Sequence, residues 1–126
     1  MKKILIVDDT PAWIEYHKQI INEYLKEVEI VTANSAKQGY DKLLEYNNDP
    51  FDIIISDLQM ELDFEPKHAG EWFVEQVKNL SKYYNSKVII ISGASNIKFV
   101  AEGLGVDYLP KATAVNFPQA YESFLL

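Results

Sequence analysis

Short apolar runs, rich in β-branched residues and separated by stretches with helical periodicity, constrain this chain more than any other feature. The runs fall at residues 4–7 (Ile-Leu-Ile-Val), 29–32, 53–55 and 88–91, with a weaker fifth at 106–109. They are too short for helices and mostly do not alternate, as expected of strands covered on both faces of a parallel sheet. In the first intervening segment Pro11 suits a first helical turn, and Trp13, His17, Ile20, Ile21, Tyr24 and Leu25 recur at three- and four-residue steps. Ser35-x-x-Gln38 is a capping box opening a second helix through Tyr40, Leu43 and Leu44. A third helix is predicted over 71–83, with Trp72, Phe73, Val77 and Leu80 on one face, and a short fourth over 96–103, ended by Gly103 and Gly105. Asn116-x-x-Gln119 reads as a second capping box opening a fifth, with Ala120, Tyr121, Phe124 and Leu125 along it. Strands alternating with helices specify an α/β, doubly wound, five-stranded parallel sheet. With no repeat, linker or low-complexity tract, residues 1–126 are expected to form one domain.

The 126 residues suffice for one buried core, and 48% hydrophobic with 25% charged residues is ordinary for a globular chain. No apolar run approaches the roughly 20 residues of a membrane span. The opening Met1-Lys2-Lys3-Ile4 is followed too soon by Asp8-Asp9 for a secretory signal, so a cytoplasmic location is expected. The absence of cysteine excludes disulfides, thiolate catalysis and cysteine-ligated zinc. A net charge of −7 argues against direct nucleic-acid binding. The acidity serves solubility, or part of it is concentrated into a cation site.

In open α/β sheets, ligands bind beyond the carboxyl ends of the strands. The polar residues there are Asp8 and Asp9 after the first run, Asp57 after the third, Ser92 after the fourth and Lys111 after the fifth. Carboxylates packed together repel and raise one another's pKa, a conflict that a divalent cation removes. Mg²⁺ favours such oxygen ligands. Lys111 adds a point charge suited to a phosphate oxygen, and Ser92 a hydroxyl donor. Carboxylate nucleophile, metal, ammonium and hydroxyl together are the inventory for phosphoryl transfer, where positioning and charge stabilisation dominate.

At these residues the chain resembles the receiver family of two-component response regulators. Lys-Ile-Leu-Ile-Val-Asp-Asp (3–9) resembles the acidic-pair motif and Ile-Ile-Ser-Asp-Leu-Gln-Met (54–60) the phosphoacceptor motif. Ile-Ile-Ser-Gly-Ala (90–94) matches the hydroxyl motif and Gly-Val-Asp-Tyr-Leu-Pro-Lys (105–111) the lysine motif. The resemblance implies a flavodoxin-like receiver fold, with Asp57 accepting a phosphoryl group from a histidine kinase, a phosphotransfer protein or a small acyl phosphate. It further implies that Asp9 and Asp57 bind Mg²⁺, that Asp8 does so directly or through water, and that the Gln59 backbone carbonyl is another ligand. Lys111 and Ser92 would contact the phosphoryl group, Tyr108 would turn inward as Ser92 moves, and Gly93 would leave room for donor and water. The implied protein is a phosphorylation switch acting on a downstream protein target rather than a turnover enzyme.

This chain departs from the family pattern in several places. Glu61 stands where a proline is usual, the matching glycine is Gly70, and residues 61–68 form a longer segment, either a tolerated insertion or a gate over the site. Ala112 replaces the proline that usually follows the lysine; a trans Lys111–Ala112 bond is expected, or a strained cis one. The stretch from Ser92 to Lys111 is short, which shortens the fourth helix on the family's usual output face. Gln59 sits at a position that influences acyl-phosphate lifetime. His17 reads as structural and His68 as an exposed loop residue. Trp13, Trp72 and Phe73 read as core or site-rim packing, and Tyr83-Tyr84 as the cap of a helix end. Alternatives are a degenerate receiver that binds partners without phosphorylation, and a small Mg²⁺-dependent aspartyl phosphohydrolase. The latter is disfavoured because Gln59 replaces its second acid and no cap domain is evident. A flavin-binding protein is disfavoured because no Ser/Thr-rich loop follows the first strand.

Overall fold

A computed structural model describes residues 1–60 and 69–126. The 61–68 segment, with its gating reading and His68, therefore lies outside the described residues. Five strands, β1 (Lys2–Val7), β2 (Val28–Ala33), β3 (Ile53–Ser56), β4 (Lys87–Ser92) and β5 (Asp107–Pro110), form one sheet in the order β2-β1-β3-β4-β5. Every pairing is parallel. The chain leaves β1 in one direction to β2 and returns across it to β3, so the strand order reverses at β1 and opens a crevice at its carboxyl end.

Helices α1 (Pro11–Tyr24), α2 (Ala36–Glu45), α3 (Ala69–Asn79) and α4 (Ile97–Leu104) cover the sheet, with α5 (Lys111–Asn116) and α6 (Glu122–Leu125). Alternate strand residues divide the core. Ile4, Ile6, Ile53, Ile55, Ile89 and Ile91 pack with Ile20 and Ile21 of α1 and with Tyr121, Phe124 and Leu125. Leu5, Val7, Ile54, Val88 and Ile90 face the other way, onto Leu43 of α2, Phe73 and Val77 of α3 and Ala101 of α4. The central strands are thus buried on both sides. Edge strand β2 differs from the expectation: residues 28–32 are only half-buried, because among the described residues no strand pairs with its outer side.

Helix boundaries depart from the periodicity in three places. Asn79 ends α3, and a separate 3₁₀ turn (Ser81–Tyr83) follows, in which Tyr83 is buried and donates its hydroxyl to the Leu43 carbonyl at 2.8 Å. Tyr84 is the C-cap of that turn. Gly103 lies inside α4, which stops at Gly105; its φ of 71° is the left-handed conformation that glycine supplies without strain. The capping box at Asn116 does not form. The fifth helix starts earlier, at Lys111, and Asn116 is its last residue. Pro118 excludes the helical conformation from Phe117 (φ −137°, ψ 70°), so the chain breaks there before a 3₁₀ turn (Pro118–Tyr121) and α6. At Ser35 the N-cap does form: Ser35 Oγ accepts the Gln38 N–H at 3.1 Å, while Gln38 Oε1 reaches back one residue further than in a strict capping box, to the Asn34 N–H at 3.1 Å.

His17 ties α1 to the C-terminal turn. Its Nδ1 lies 2.7 Å from the Tyr121 hydroxyl, both residues are buried, and burial lowers its pKa from 6.5 to about 3, with a smaller push from Lys111. Because the folded pKa is depressed, the neutral-histidine contribution is complete above pH 6.5 and is lost as pH falls toward about 3. Stability is expected to fall by up to about 1.4 kcal/mol per pH unit across that window from this group alone. Asp8, whose pKa is raised, acts in the opposite sense and offsets part of the loss. Urea denaturation between pH 7 and 5 checks this: His17→Gln should flatten the slope.

Candidate functional site

The site is built by continuing the parallel ladder one residue past β1 and β3. The Asp8 N–H donates to the Ala33 carbonyl at 3.1 Å and the Asp57 N–H to the Val7 carbonyl at 3.0 Å, which fixes both backbones side by side at the crevice. Carboxylate oxygens of Asp8, Asp9 and Asp57 lie within 4.8 Å of one another. Asp8 and Asp57 are buried and Asp9 is half-buried. Asp57 Oδ1 accepts the Leu58 N–H at 2.7 Å and the Gln59 N–H at 3.2 Å, while Oδ2 accepts Lys111 Nζ at 2.9 Å. The β4–β5 register, Ser92 beside Pro110, brings Lys111 to this rim as the first residue of α5.

Asp8 is the most deeply buried of the three carboxylates. Its Oδ1 accepts the Thr10 N–H at 2.9 Å. Its Oδ2 is buried, 3.2 Å from Lys111 Nζ, close enough for ion pairing yet without a hydrogen bond. Burial raises the Asp8 pKa, and the Asp57 charge adds to that; the Thr10 N–H and Lys111 pull it down less. A buried carboxylate oxygen lacking a hydrogen bond, flanked by two more carboxylates, is a donor set for a hard divalent cation. The residues fit such an ion.

Gly70 makes this geometry achievable. A Cβ there would stand 2.4 Å from the Asp57 carbonyl oxygen, 2.5 Å from Leu58 Cα and 2.7 Å from the Leu58 carbonyl oxygen. The first turn of α3 therefore lies against the backbone that carries the acidic side chain. Gly93 faces open space: a Cβ there would meet nothing within 4 Å.

Asp8, Asp9, Asp57 and Lys111 are brought together as the sequence indicates. Ser92 is at the same rim and fully buried, but its Oγ accepts the Ala94 N–H at 3.1 Å within its own loop. Tyr108 is exposed on β5 and is not packed inward. Gln59 follows the site with its side chain exposed, its N–H engaged by Asp57. Sequence reasoning missed Thr10, whose signal was the Asp-x-Thr spacing of an Asx turn. Trp13, read as core or site-rim packing, lies at the rim, with its ring centroid 4.9 Å from Lys111 Nζ, a contact the sequence did not specify.

An open parallel sheet with three carboxylates and one ammonium at its switch point defines an acidic-rim α/β protein. The model of the response regulator receiver domain matches residues 4–116, and the chain belongs to that family. Solved structures agree on the fold. The Mn²⁺-bound form of response regulator Rcp1 superposes with a TM-score of 0.80 at 23% identity, over 100% of this chain and 95% of that one. The phosphorylated cyanobacterial phytochrome response regulator RcpA gives 0.73 at 25% identity, covering 87% and 80%. Vibrio cholerae chemotaxis protein CheY4 gives 0.69 at 23%, covering 95% and 98%. No curated protein sequence matches the chain. Among the described residues, no helix is long and apolar enough to cross a membrane.

Proposed function

We propose that the whole chain is a single receiver domain in which Asp57 accepts a phosphoryl group and thereby switches binding to a downstream protein target. The observation that carries this reading is the contact of Asp57 Oδ2 with Lys111 Nζ at 2.9 Å beside the Asp8–Asp9 pair. The donors implied are a histidine kinase, a phosphotransfer protein or a small acyl phosphate, in the cytoplasm and without direct nucleic-acid contact. Asp8, Asp9, Asp57 and the Gln59 carbonyl would hold Mg²⁺, which when bound supplies positive charge to the carboxylates and to the phosphoryl oxygens. The Mn²⁺-bound Rcp1 and phosphorylated RcpA are relatives consistent with this reading.

The Leu58 and Gln59 amides hold Oδ1, so Asp57 presents Oδ2 as the attacking oxygen. The new O–P bond forms as the donor's P–N or P–O bond breaks, its electron pair leaving with the donor. Lys111, already at Oδ2, accompanies the incoming charge and pairs with a phosphoryl oxygen. Ser92, held by Ala94 in its own loop, would swing to another oxygen, and Tyr108 would move inward behind it. On this reading, Ser92 bonded within its own loop and Tyr108 exposed would be the arrangement before phosphorylation.

Incubation with Mg²⁺ and acetyl phosphate, read by intact mass, tests the proposal. One phosphoryl group per chain, absent in Asp57→Asn, is expected. No adduct would favour a degenerate receiver, and rapid multi-turnover phosphate release a hydrolase.

Metal binding has its own signal. Mg²⁺ should raise the melting temperature, by the equivalent of about 2.7 kcal/mol at a hundredfold excess over Kd. It should also quench Trp13 in a Trp72→Phe background, because Lys111 bridges the acidic cluster and the Trp13 ring. Asp8→Asn should abolish most of both effects, and a flat fluorescence response in the parent would contradict the coupling.

A further inference from the structure

Lys111 is held by three contacts: Asp57 Oδ2 at 2.9 Å, Asp8 Oδ2 at 3.2 Å, and the face of Trp13, 4.9 Å from its centroid. The first two are carboxylates, and their charge is altered by any cation or phosphoryl group that arrives. The third is a ring quadrupole, and it keeps the same attraction throughout. A lysine reaches the site on a flexible four-carbon stem, so a fixed seat for its ammonium limits where it points once Asp57 is modified.

The indole is itself braced. Trp13, Tyr16 and His17 occupy one face of α1 at three- and four-residue spacing. Trp13 meets Tyr16 edge-on at 5.4 Å and lies tilted against His17 at 5.5 Å. Tyr16 donates its hydroxyl to the Ala114 carbonyl of α5 at 2.8 Å, and His17 Nδ1 is 2.7 Å from the Tyr121 hydroxyl. Both braces therefore end on the segment that begins with Lys111. Ala112 follows that lysine, so no proline ring stiffens the chain there.

We propose that Trp13 is a positioning residue for phosphoryl transfer: its indole face seats the Lys111 ammonium, and Tyr16 and His17 lock the indole to α5 and the following turn. The proposal rests on the reading of Asp57 as phosphoryl acceptor. Trp13 touches no reacting atom and acts through Lys111.

The test uses the full chain with Mg²⁺ and acetyl phosphate, following adduct formation over time by intact mass. Trp13→Leu keeps an apolar side chain, though a smaller one, without the quadrupole and is expected to slow transfer about fivefold to thirtyfold, with Trp13→Phe intermediate. In a Lys111→Met background, Trp13→Leu should add nothing further, because the residue it positions is gone; multiplying effects would mean general packing and would overturn the proposal. Independently, the Lys111 ε-methylene protons should be shifted upfield by the ring current in the parent and return to ordinary lysine values in Trp13→Leu. Unshifted protons in the parent would overturn the seat, whatever the kinetics. Should Trp13→Leu not fold, Trp13→Phe and the parent spectrum decide. A parent that takes no phosphoryl group contradicts the acceptor reading, whereas equal rates in parent and Trp13→Leu contradict the seat alone.

Discussion

Gly70→Ala should lower stability by roughly 3 kcal/mol or more, against the trend for a glycine near a helix start. In an exposed helix, alanine is favoured over glycine by about 1 kcal/mol. Here the added carbon meets three backbone atoms of Asp57 and Leu58 at 2.4–2.7 Å, and backbone cannot move aside as a flexible side chain can. Either α3 lifts off the sheet or the Asp57–Leu58 backbone shifts, and the second outcome breaks the amide contacts that orient Oδ1. Melting temperature should drop by about 10 °C. Gly103→Ala is the matched control: its new carbon meets nothing within 4 Å inside α4, so it should be neutral or stabilising. Equal melting temperatures for the two variants would contradict the close approach of α3.

Lys111→Met should separate metal binding from phosphoryl transfer. The ammonium sits against Asp8 and Asp57, two of the three carboxylates offered to a cation, so it competes with that cation. Without it, Mg²⁺ affinity should rise, by about tenfold for one like charge removed at close range. The transfer rate should nevertheless fall by about two to three orders of magnitude, the usual cost of removing a preorganised partner for developing charge. In the metal-free protein the buried carboxylates then face each other with no counter-charge, so stability should drop and Mg²⁺ should restore it. Isothermal titration with Mg²⁺ and single-turnover kinetics with acetyl phosphate give the two numbers. A parallel fall in affinity and rate would contradict this account of Lys111.

The sheet and the acidic rim were legible because one signal specified both. The run 4–7 ends abruptly in Asp8; Asp57 and Lys111 follow theirs within two residues, and a parallel sheet aligns those ends, so the three were expected to converge. The C-terminal helix was misread because Asn116-x-x-Gln119 has the composition of a capping box, while Pro118 governs the backbone locally and Lys111 follows Pro110 directly into α5. The half-burial of β2 depends on strand order, which periodicity does not encode. Gly70 could be matched by motif, but the backbone approach that requires glycine appears only in three dimensions. The Trp13–Lys111 contact joins residues 98 positions apart, on two helices that the strand pattern places on the same face without specifying which side chains meet.

The central claim is that one named carboxylate at this rim becomes an acyl phosphate. Borohydride reduces an acyl phosphate to the alcohol, converting an aspartyl phosphate into homoserine at the modified position. After treatment with Mg²⁺ and acetyl phosphate, borohydride trapping and peptide mass spectrometry should find homoserine at position 57. Homoserine at position 8 or 9, or at no position in a folded, Mg²⁺-binding protein, would contradict the account.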